Sequence, residues 1–535
     1  MKLGSSIAIA LCLLFRLSIA VDSVVDLTCN IYAGVPSADG ITRWLGLRYA
    51  ASPVGELRFM PPEDPPCNST VQTADTHGPY CLGINDPGNS AASEDCLFLD
   101  VYAPSNITAF GKLPVYFFIQ GGGFGTNANP DYDGGGLITA SGYSIIVVTF
   151  NYRVGPYGFI TDGSSITPNI GLLDQRKAME WVQKYIWAFG GNPNHVVLGG
   201  ASAGAASISL HMTAYGGNDT RLFHAAAAES VSFATVLTVN ESQYQYDNLA
   251  IQLGCAGSDS LSCIKSKTAD EIQAVNTNIP YAGAASAPLY MWGPVLDGDM
   301  ITDYPYDSYS EGKFIKIPLI VGDDTNEGTS FTPTGTSTLG QSDSFLKSQF
   351  PFLTLEQLGR INDLYPNTND SCPNTGCYWR QVSDAYGDMR YMCPGIFVSS
   401  AMANYSTTGA YNYRYNVEDP AQVAAGYGVP HTVELNAIWG PENVGPRGSP
   451  PASYYPDGVN AAVIPVIRAY WISFIRTFDP NKYRYPDAAR WEVWSPKSQD
   501  RLLFETGGNT TMESVDQTTR NRCEYFASIG VDIRQ

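Results

Sequence analysis

Residues 196–212 read Val196-Val197-Leu198-Gly199-Gly200-Ala201-Ser202-Ala203-Gly204-Ala205-Ala206-Ser207-Ile208-Ser209-Leu210-His211-Met212. The first three residues read as a buried strand, and Ala205 to Met212 is compatible with a helix. Between them lies Gly-Ala-Ser-Ala-Gly, with no room for a loop. A strand that passes straight into a helix through small residues makes a sharp, strained turn. Such a turn projects its serine hydroxyl beyond the strand end, beside a helix N-terminus that favours developing negative charge. As a bare pattern Gly-x-Ser-x-Gly is common by chance; the strand before it and the helix after it carry the reading.

Outward from this turn, Leu97 to Tyr102, Pro114 to Gln120 and Ile145 to Asn151 are apolar runs rich in branched and aromatic residues. They read as strands, as do Ile317 to Val321 and Tyr411 to Tyr415 further on. Leu173, Met179, Val182 and Ile186 recur at helical spacing within Leu172 to Phe189. Strands alternating with helices predict an α/β architecture, a mostly parallel sheet covered on both faces. No linker divides the chain, so residues 21–535 are expected to form one catalytic domain. The stretch from Gly328 to Ser344, rich in Gly, Ser and Thr, reads as a surface excursion.

A serine alcohol needs a base and an oxyanion site to act as a nucleophile. Gln120-Gly121-Gly122-Gly123-Phe124 follows the strand that ends near Ile119, and consecutive glycines leave backbone N–H groups free to face a substrate oxygen. With the amide of Ala203 they would form an oxyanion hole. Of five histidines, His77, His195, His211, His224 and His431, only His431 sits in a loop beyond a late strand, in Gly426-Tyr427-Gly428-Val429-Pro430-His431. An acid is then expected between Ser202 and His431. Glu327, just past the strand Ile317 to Val321, is best placed, and Asp323 and Asp324 compete with it on spacing.

The bulk properties narrow the compartment. Net charge is −20, which repels phosphate backbones and argues against nucleic acid as a partner. Residues 1–20 read as a signal peptide, with Lys2 ahead of the apolar run Ile7 to Phe15 and small residues near Ala20. No later run is long enough to anchor the chain in a membrane, so a secreted, extracellular protein is expected. Cys12 lies in the signal segment, and ten of the eleven cysteines remain, an even number suited to disulfides. Seven Asn-x-Ser/Thr sites, Asn68, Asn106, Asn218, Asn240, Asn369, Asn404 and Asn509, are candidate glycosylation acceptors.

Two longer stretches carry a resemblance: Phe189-Gly190-Gly191-Asn192-Pro193-Asn194-His195-Val196-Val197-Leu198-Gly199-Gly200-Ala201-Ser202-Ala203-Gly204, and Glu94-Asp95-Cys96-Leu97-Phe98-Leu99-Asp100-Val101-Tyr102-Ala103-Pro104. With Asn151-Tyr152-Arg153-Val154-Gly155, Gly171-Leu172-Leu173-Asp174-Gln175 and Asn326-Glu327-Gly328, they resemble the carboxylesterase/lipase family that includes cholinesterases. The nearest resemblance is to fungal secreted carboxylesterases, and it runs from about residue 30 to the C-terminus. It implies the α/β-hydrolase fold and a serine hydrolase of carboxylic esters, with Ser202, Glu327 and His431 as triad. It also implies Gly122, Gly123 and Ala203 as oxyanion donors and Ser232 as a serine supporting the acid. Neither metal nor organic cofactor is implied. It suggests the disulfides Cys255–Cys263, Cys393–Cys523 and Cys67–Cys96. The four cysteines then left are paired Cys372–Cys377 and Cys29–Cys81.

The loop from Cys67 to Cys96 has no tryptophan to hold a choline cation, and Ala201 stands where cholinesterases carry a glutamate. Choline esters are therefore disfavoured. The same loop is poor in large apolar residues and broken by Pro79 and Pro87, a poor amphipathic lid. The expected partner is a small-molecule ester of a short to medium acyl or aromatic acid. Two alternatives stand beside this reading: a true triacylglycerol lipase, and a catalytically weak cholinesterase-like binding or adhesion protein. The sequence does not speak to oligomeric state.

Overall fold

The computed structural model describes residues 22–108, 111–126, 132–367, 372, 374–445 and 450–535. The expected signal peptide, residues 1–20, and the sequon Asn369 lie outside the described residues.

One sheet of 13 strands organises the chain. Its strands in chain order are β1 (Val24–Asp26), β2 (Asn30–Pro36), β3 (Ile41–Arg48), β4 (Asn68–Ala74), β5 (Phe98–Pro104), β6 (Leu113–Ile119), β7 (Ile146–Phe150), β8 (Gly191–Ala201), β9 (Ala225–Glu229), β10 (Leu319–Asp324), β11 (Ala410–Asn416), β12 (Asp500–Glu505) and β13 (Asn509–Ser514). Their spatial order is β1-β2-β3-β5-β7-β6-β8-β9-β10-β11-β12-β13, with β4 also paired to β2. From β7 to β12 every neighbouring pair is parallel. The flanks, β1-β2-β3-β5-β7 on one side and β12-β13 on the other, are antiparallel. The α/β-hydrolase architecture expected from the sequence is the one observed.

Both faces of the centre are buried, and the alternation of β-strand side chains shows it directly. Val115, Phe117 and Ile119 fall in one apolar cluster, whereas Tyr116 and Phe118 fall in another on the opposite face. The first face is covered by helices including α1 (Ile170–Tyr185) and α2 (Ala203–Gly217), the second by α3 (Val463–Thr477). The expected strands appear within a few residues of their expected ends. Strand β9 does not look like one in sequence, because Ala-Ala-Ala-Ala-Glu favours a helix. It is a strand because β8 and β10 pair with it on both sides, and its small side chains let the covering layers approach; tertiary context overrides propensity.

Several quoted motifs turn out to be braces. Arg153 donates to Asp174 from Nε and Nη2 at 2.8 and 2.7 Å, fully buried, tying the turn after β7 to α1. Arg58 grips Glu94 through two hydrogen bonds of 2.5 Å, and Gly46 N donates to buried Asp100 at 2.7 Å.

Two disulfide expectations are corrected. Cys67 pairs with Cys29, not Cys96, and Cys81 pairs with Cys96, not Cys29. Strand register is the reason. The parallel pair β2 and β4 sets Asn30 opposite Asn68, leaving the preceding Cys29 and Cys67 with Cα atoms 4.6 Å apart. A short parallel pair, Tyr80–Cys81 with Ala92–Ser93, brings Cys81 to Cys96 at 5.0 Å. The remaining pairs are Cys255–Cys263, Cys372–Cys377 and Cys393–Cys523.

The stretch Gly328 to Ser344 is largely exposed, as its polarity suggests, but buried hydroxyl side chains anchor it. Thr329, Thr332, Thr336 and Ser342 are buried. Their hydroxyls find acceptors inside: Thr329 donates to Asn326 O and Tyr427 O, and Ser342 to Gln381 Oε1 at 2.9 Å. A hydroxyl that keeps its hydrogen bond can be buried at little cost.

Candidate active site

Ser202 sits at the junction of β8 and α2 with φ 58° and ψ −119°, a strained conformation for a residue with a Cβ. Its N–H donates to Glu229 O at 2.9 Å, so the neighbouring strand holds the turn in place. Glycine on either side is a steric requirement. A Cβ on Gly204 would lie 1.9 Å from Ile119 O, and one on Gly200 would lie 2.8 Å from the Gly204 backbone.

The glycine loop after β6 meets this turn. A Cβ on Gly121 would touch Ala201 O at 2.7 Å and Ser202 Cβ at 3.0 Å. Gly122 and Gly123 take φ of 114° and 62°, conformations that glycine adopts freely. The loop is pinned from both ends. Tyr152 OH donates to Gln120 O at 3.0 Å, Gln120 Nε2 donates to Asn151 Oδ1 at 3.2 Å, and Thr126 N donates to Gly122 O at 3.0 Å. None of the Gly122, Gly123 and Ala203 amides is bonded to an acceptor among the described residues. These are the three donors expected for an oxyanion hole; Ala203 directly follows Ser202, and Gly122 lines the same cleft as Ser202.

The acid and base come from further away. His431 Nδ1 hydrogen-bonds Glu327 Oε2. The other oxygen of Glu327 accepts from Ser230 Oγ at 2.7 Å and from Asp324 N at 2.8 Å, so the carboxylate cannot rotate away. The two loops are laced together: Asn326 N donates to Val429 O and Val429 N to Asn326 Oδ1, both at 2.9 Å. Gly428, at φ 67°, leaves room for that amide, since a Cβ there would lie 2.0 Å from Asn326 Oδ1. His431 is buried against Phe331 and Tyr391, with ring centroids 4.9 and 4.5 Å away. Its Nε2 is buried and has no hydrogen-bond partner among the described residues. Ser202, His431, Gly121 and Gly122 line one open cleft of about 440 Å³, together with Tyr290 and Phe331.

Three sequence expectations are refined here. Ser232 does not reach the acid: its hydroxyl accepts from Arg390 Nε at 3.0 Å, and Ser230 is the serine bonded to Glu327. Ser230 directly follows β9 at φ 56°, and that turn sends its side chain toward Glu327, whereas two residues later the chain faces Arg390. The competitors Asp323 and Asp324 are fully buried and face elsewhere. Asp324 Oδ2 accepts from Val433 N at 3.2 Å, holding the histidine loop from behind. Burial, with the nearby charge of Glu434 and Glu327, pushes the Asp324 carboxyl well above the usual range. Burial also raises Asp323, with Glu327 as the next cause. Glu434, three residues after His431, was not singled out in the sequence. It is buried, accepts from Tyr413 OH at 3.2 Å, and is raised first by burial.

The remaining histidines are structural. His211 Nε2 bonds Gln175 Oε1 at 2.8 Å inside the core, and His195 stacks on Phe478. His77 Nδ1 meets Asp100 at 2.8 Å, and Val196 N donates to His224 Nδ1 at 3.2 Å.

Comparison with known proteins identifies the family of the whole chain. The model of the carboxylesterase family matches residues 31–526. Secreted lipase 4 of Gibberella zeae is 28% identical over 510 residues, covering 91% of this chain and 88% of that protein. The para-nitrobenzyl esterase of Bacillus subtilis is 29% identical, covering 92% and 96%. Among solved structures, Aspergillus niger EstA superposes with a TM-score of 0.92 at 41% identity, covering 96% of this chain and 99% of that one.

Proposed function

The chain belongs to the carboxylesterase family and is a carboxylic ester hydrolase; from that premise we propose that Ser202, Glu327 and His431 are its catalytic triad and that it cleaves soluble esters of short to medium acyl or aromatic acids. The observation that carries the triad is the chain Ser230–Glu327–His431, which ends in a buried Nε2 with no partner among the described residues, while His431 and Ser202 line one cleft. His431 Nε2 takes the proton of Ser202 Oγ as that oxygen bonds to the ester carbonyl carbon. Glu327 fixes the ring so that Nδ1 keeps its proton and the imidazolium is stabilised. The amides of Gly122, Gly123 and Ala203 hold the negative oxygen. The alcohol leaves with the proton from Nε2. Water, deprotonated by the same nitrogen, then attacks the acyl-serine and releases the acid.

The preference for soluble esters rests on the loop that ends at Cys96, which packs against the end of the glycine loop at Gly125. The corrected pairing makes Cys81–Cys96 its closure, 15 residues apart. Leu82 and Ile84 are buried rather than displayed. Gly83 O accepts from Gln273 Nε2 and Asn276 Nδ2 at 2.9 and 3.0 Å, and Ile84 N donates to Gly125 O at 2.9 Å. A loop held by these bonds has no apolar face to swing onto a lipid surface. Its relatives are named both as lipases and as esterases, so rate against tributyrin across its solubility limit is the deciding measurement. A smooth saturation curve is expected; a jump as droplets form would make this a true lipase.

Residues 21–535 act as one catalytic domain, exported under the direction of residues 1–20. Two fungal relatives carry "secreted" in their names. The six described sequons, Asn68, Asn106, Asn218, Asn240, Asn404 and Asn509, are all exposed, as glycosylation requires. No helix among the described residues is long and apolar enough to cross a membrane.

A further inference from the structure

Beside the catalytic cleft lies a second, smaller cavity. Tyr290 borders both, and the glycine loop contributes Gly122 to one and Gly123 to the other. The Tyr290 ring lies against Gly123 so closely that a Cβ there would meet it at 2.1 Å. Arg390 lines this inner cavity, and its environment is unusual. It is buried, with only 6% of its surface exposed. Its guanidinium donates from Nε to Ser232 Oγ at 3.0 Å and lies beside the hydroxyls of Tyr386 and Tyr391. No carboxylate pairs with it among the described residues; its charge instead faces the rings of Tyr290, Tyr386 and Tyr391 at 5.6 to 5.9 Å. A guanidinium is always charged, and a buried charge is normally matched by an anion.

A second observation points the same way. Trp292 lines the same cavity, is 3% exposed, and its indole N–H has no acceptor among the described residues. Arginine and the tryptophan indole are donors only, so what the cavity lacks is an acceptor, and beside a guanidinium the fitting acceptor is an anionic, two-oxygen group. The cavity is close to the chemistry. The Arg390 guanidinium is 5.8 Å from the Tyr391 ring centre, and that ring is 4.5 Å from His431.

We infer that Arg390 and Trp292 recognise the far end of the acyl group, so that this site takes acyl chains ending in a carboxylate, the half-esters of short dicarboxylic acids, in preference to plain fatty acyl chains. The inference rests on Ser202 being the nucleophile, since the acyl carbon must lie at its hydroxyl while the terminal carboxylate reaches Arg390. The reaction itself is unchanged: the ester bond is cleaved, and the terminal carboxylate takes no part in bond making.

The test compares monomethyl glutarate with methyl pentanoate, which have acyl chains of equal length, by titrating released acid with purified full-length protein. The wild type should favour the half-ester in kcat/KM by about tenfold or more, the size of one charge-assisted contact. In Arg390→Gln that ratio should fall about tenfold, and Arg390→Lys should restore part of it. Equal rates on the two esters in the wild type, or a parallel loss on both in Arg390→Gln with the ratio unchanged, would overturn the inference. Should Arg390→Gln fail to fold, competitive inhibition of the wild type decides: glutarate should inhibit more tightly than pentanoate, and the reverse order overturns the proposal. Loss of the half-ester preference with pentanoate still hydrolysed refutes only this inference, whereas failure to hydrolyse either ester refutes the triad reading beneath it.

Discussion

The two halves of the proposed catalytic cleft are built in opposite ways. The half proposed to hold the nucleophile is backbone: Ser202 at φ 58°, Gly200 and Gly204 where a Cβ would strike the main chain, and a glycine loop whose Gly122 and Gly123 amides have no acceptor among the described residues. The acid–base half is side chains drawn from positions 230, 324, 327, 431 and 434 and held by hydrogen bonds among buried groups. Steric placement tolerates almost no change, whereas a hydrogen-bonded relay can lose one contact and still work in part. The first half should therefore break abruptly and the second by degrees.

The largest effect is expected at Ser202. Ser202→Ala removes the attacking oxygen without adding bulk, and turnover of a chromogenic ester should fall on the order of 10⁵–10⁶-fold with the melting curve unchanged. An organophosphate should label Ser202 in the wild type; labelling of a different serine sinks the assignment. Next comes Glu327→Gln, which keeps the shape but removes the negative charge facing His431. A loss of roughly 10³–10⁴-fold is expected in kcat. If Asp324→Asn does more harm than Glu327→Gln, the acid is misassigned. A graded relay further predicts that Ser230→Ala costs only about tenfold, one hydrogen bond to a charged group, with Ser232→Ala leaving the Glu327 contact intact. Equal losses at 230 and 232 would remove the distinction drawn from the geometry.

The smallest effect concerns stability. Burial, with the charges of Glu434 and Glu327, raises the Asp324 carboxyl, and burial with the charge of Glu327 raises Glu434. The folded chain thus holds protons that the unfolded chain sheds above about pH 4. Their stabilisation is complete below that value and is lost as pH rises toward the raised folded values. Buried His211, depressed by burial, works the other way, but only below about pH 6.5. Above about pH 6.5, where the histidine contribution is spent, stability should therefore fall as pH rises through the raised carboxyl values, by up to about 1.4 kcal/mol per pH unit for each proton released, and the melting temperature with it. Asp324→Asn should flatten that slope without abolishing it, because burial also raises Glu229 and Asp323. A slope equally steep in the variant would show that Asp324 does not carry the proton.

The same contrast governs what could be read in advance. The elbow, the glycine loop and the central strands were legible because their constraints fall on adjacent residues: a turn that admits no side chain writes glycine beside the serine it bends. The acid and base were narrower guesses from spacing, and family resemblance chose Glu327 over Asp323 and Asp324. Ser232 was chosen where Ser230 makes the contact, a difference of two residues that a single positive φ creates.

From its sequence alone this chain is a strand–elbow–helix protein with a parallel centre, because local sterics and hydrophobic period leave their marks within a dozen residues, and its resemblance to the carboxylesterase/lipase family implies the parts of a serine esterase. Folding in three dimensions decided the rest. Which cysteines meet depended on the register of β2 against β4. Whether Ala225–Glu229 is a strand depended on its neighbours. Which buried carboxyls brace His431, and where Arg390 is left without an anion, depended on segments far apart in the chain coming into contact. Burial and pairing are properties of contacts between distant residues, and no short stretch of sequence contains both partners.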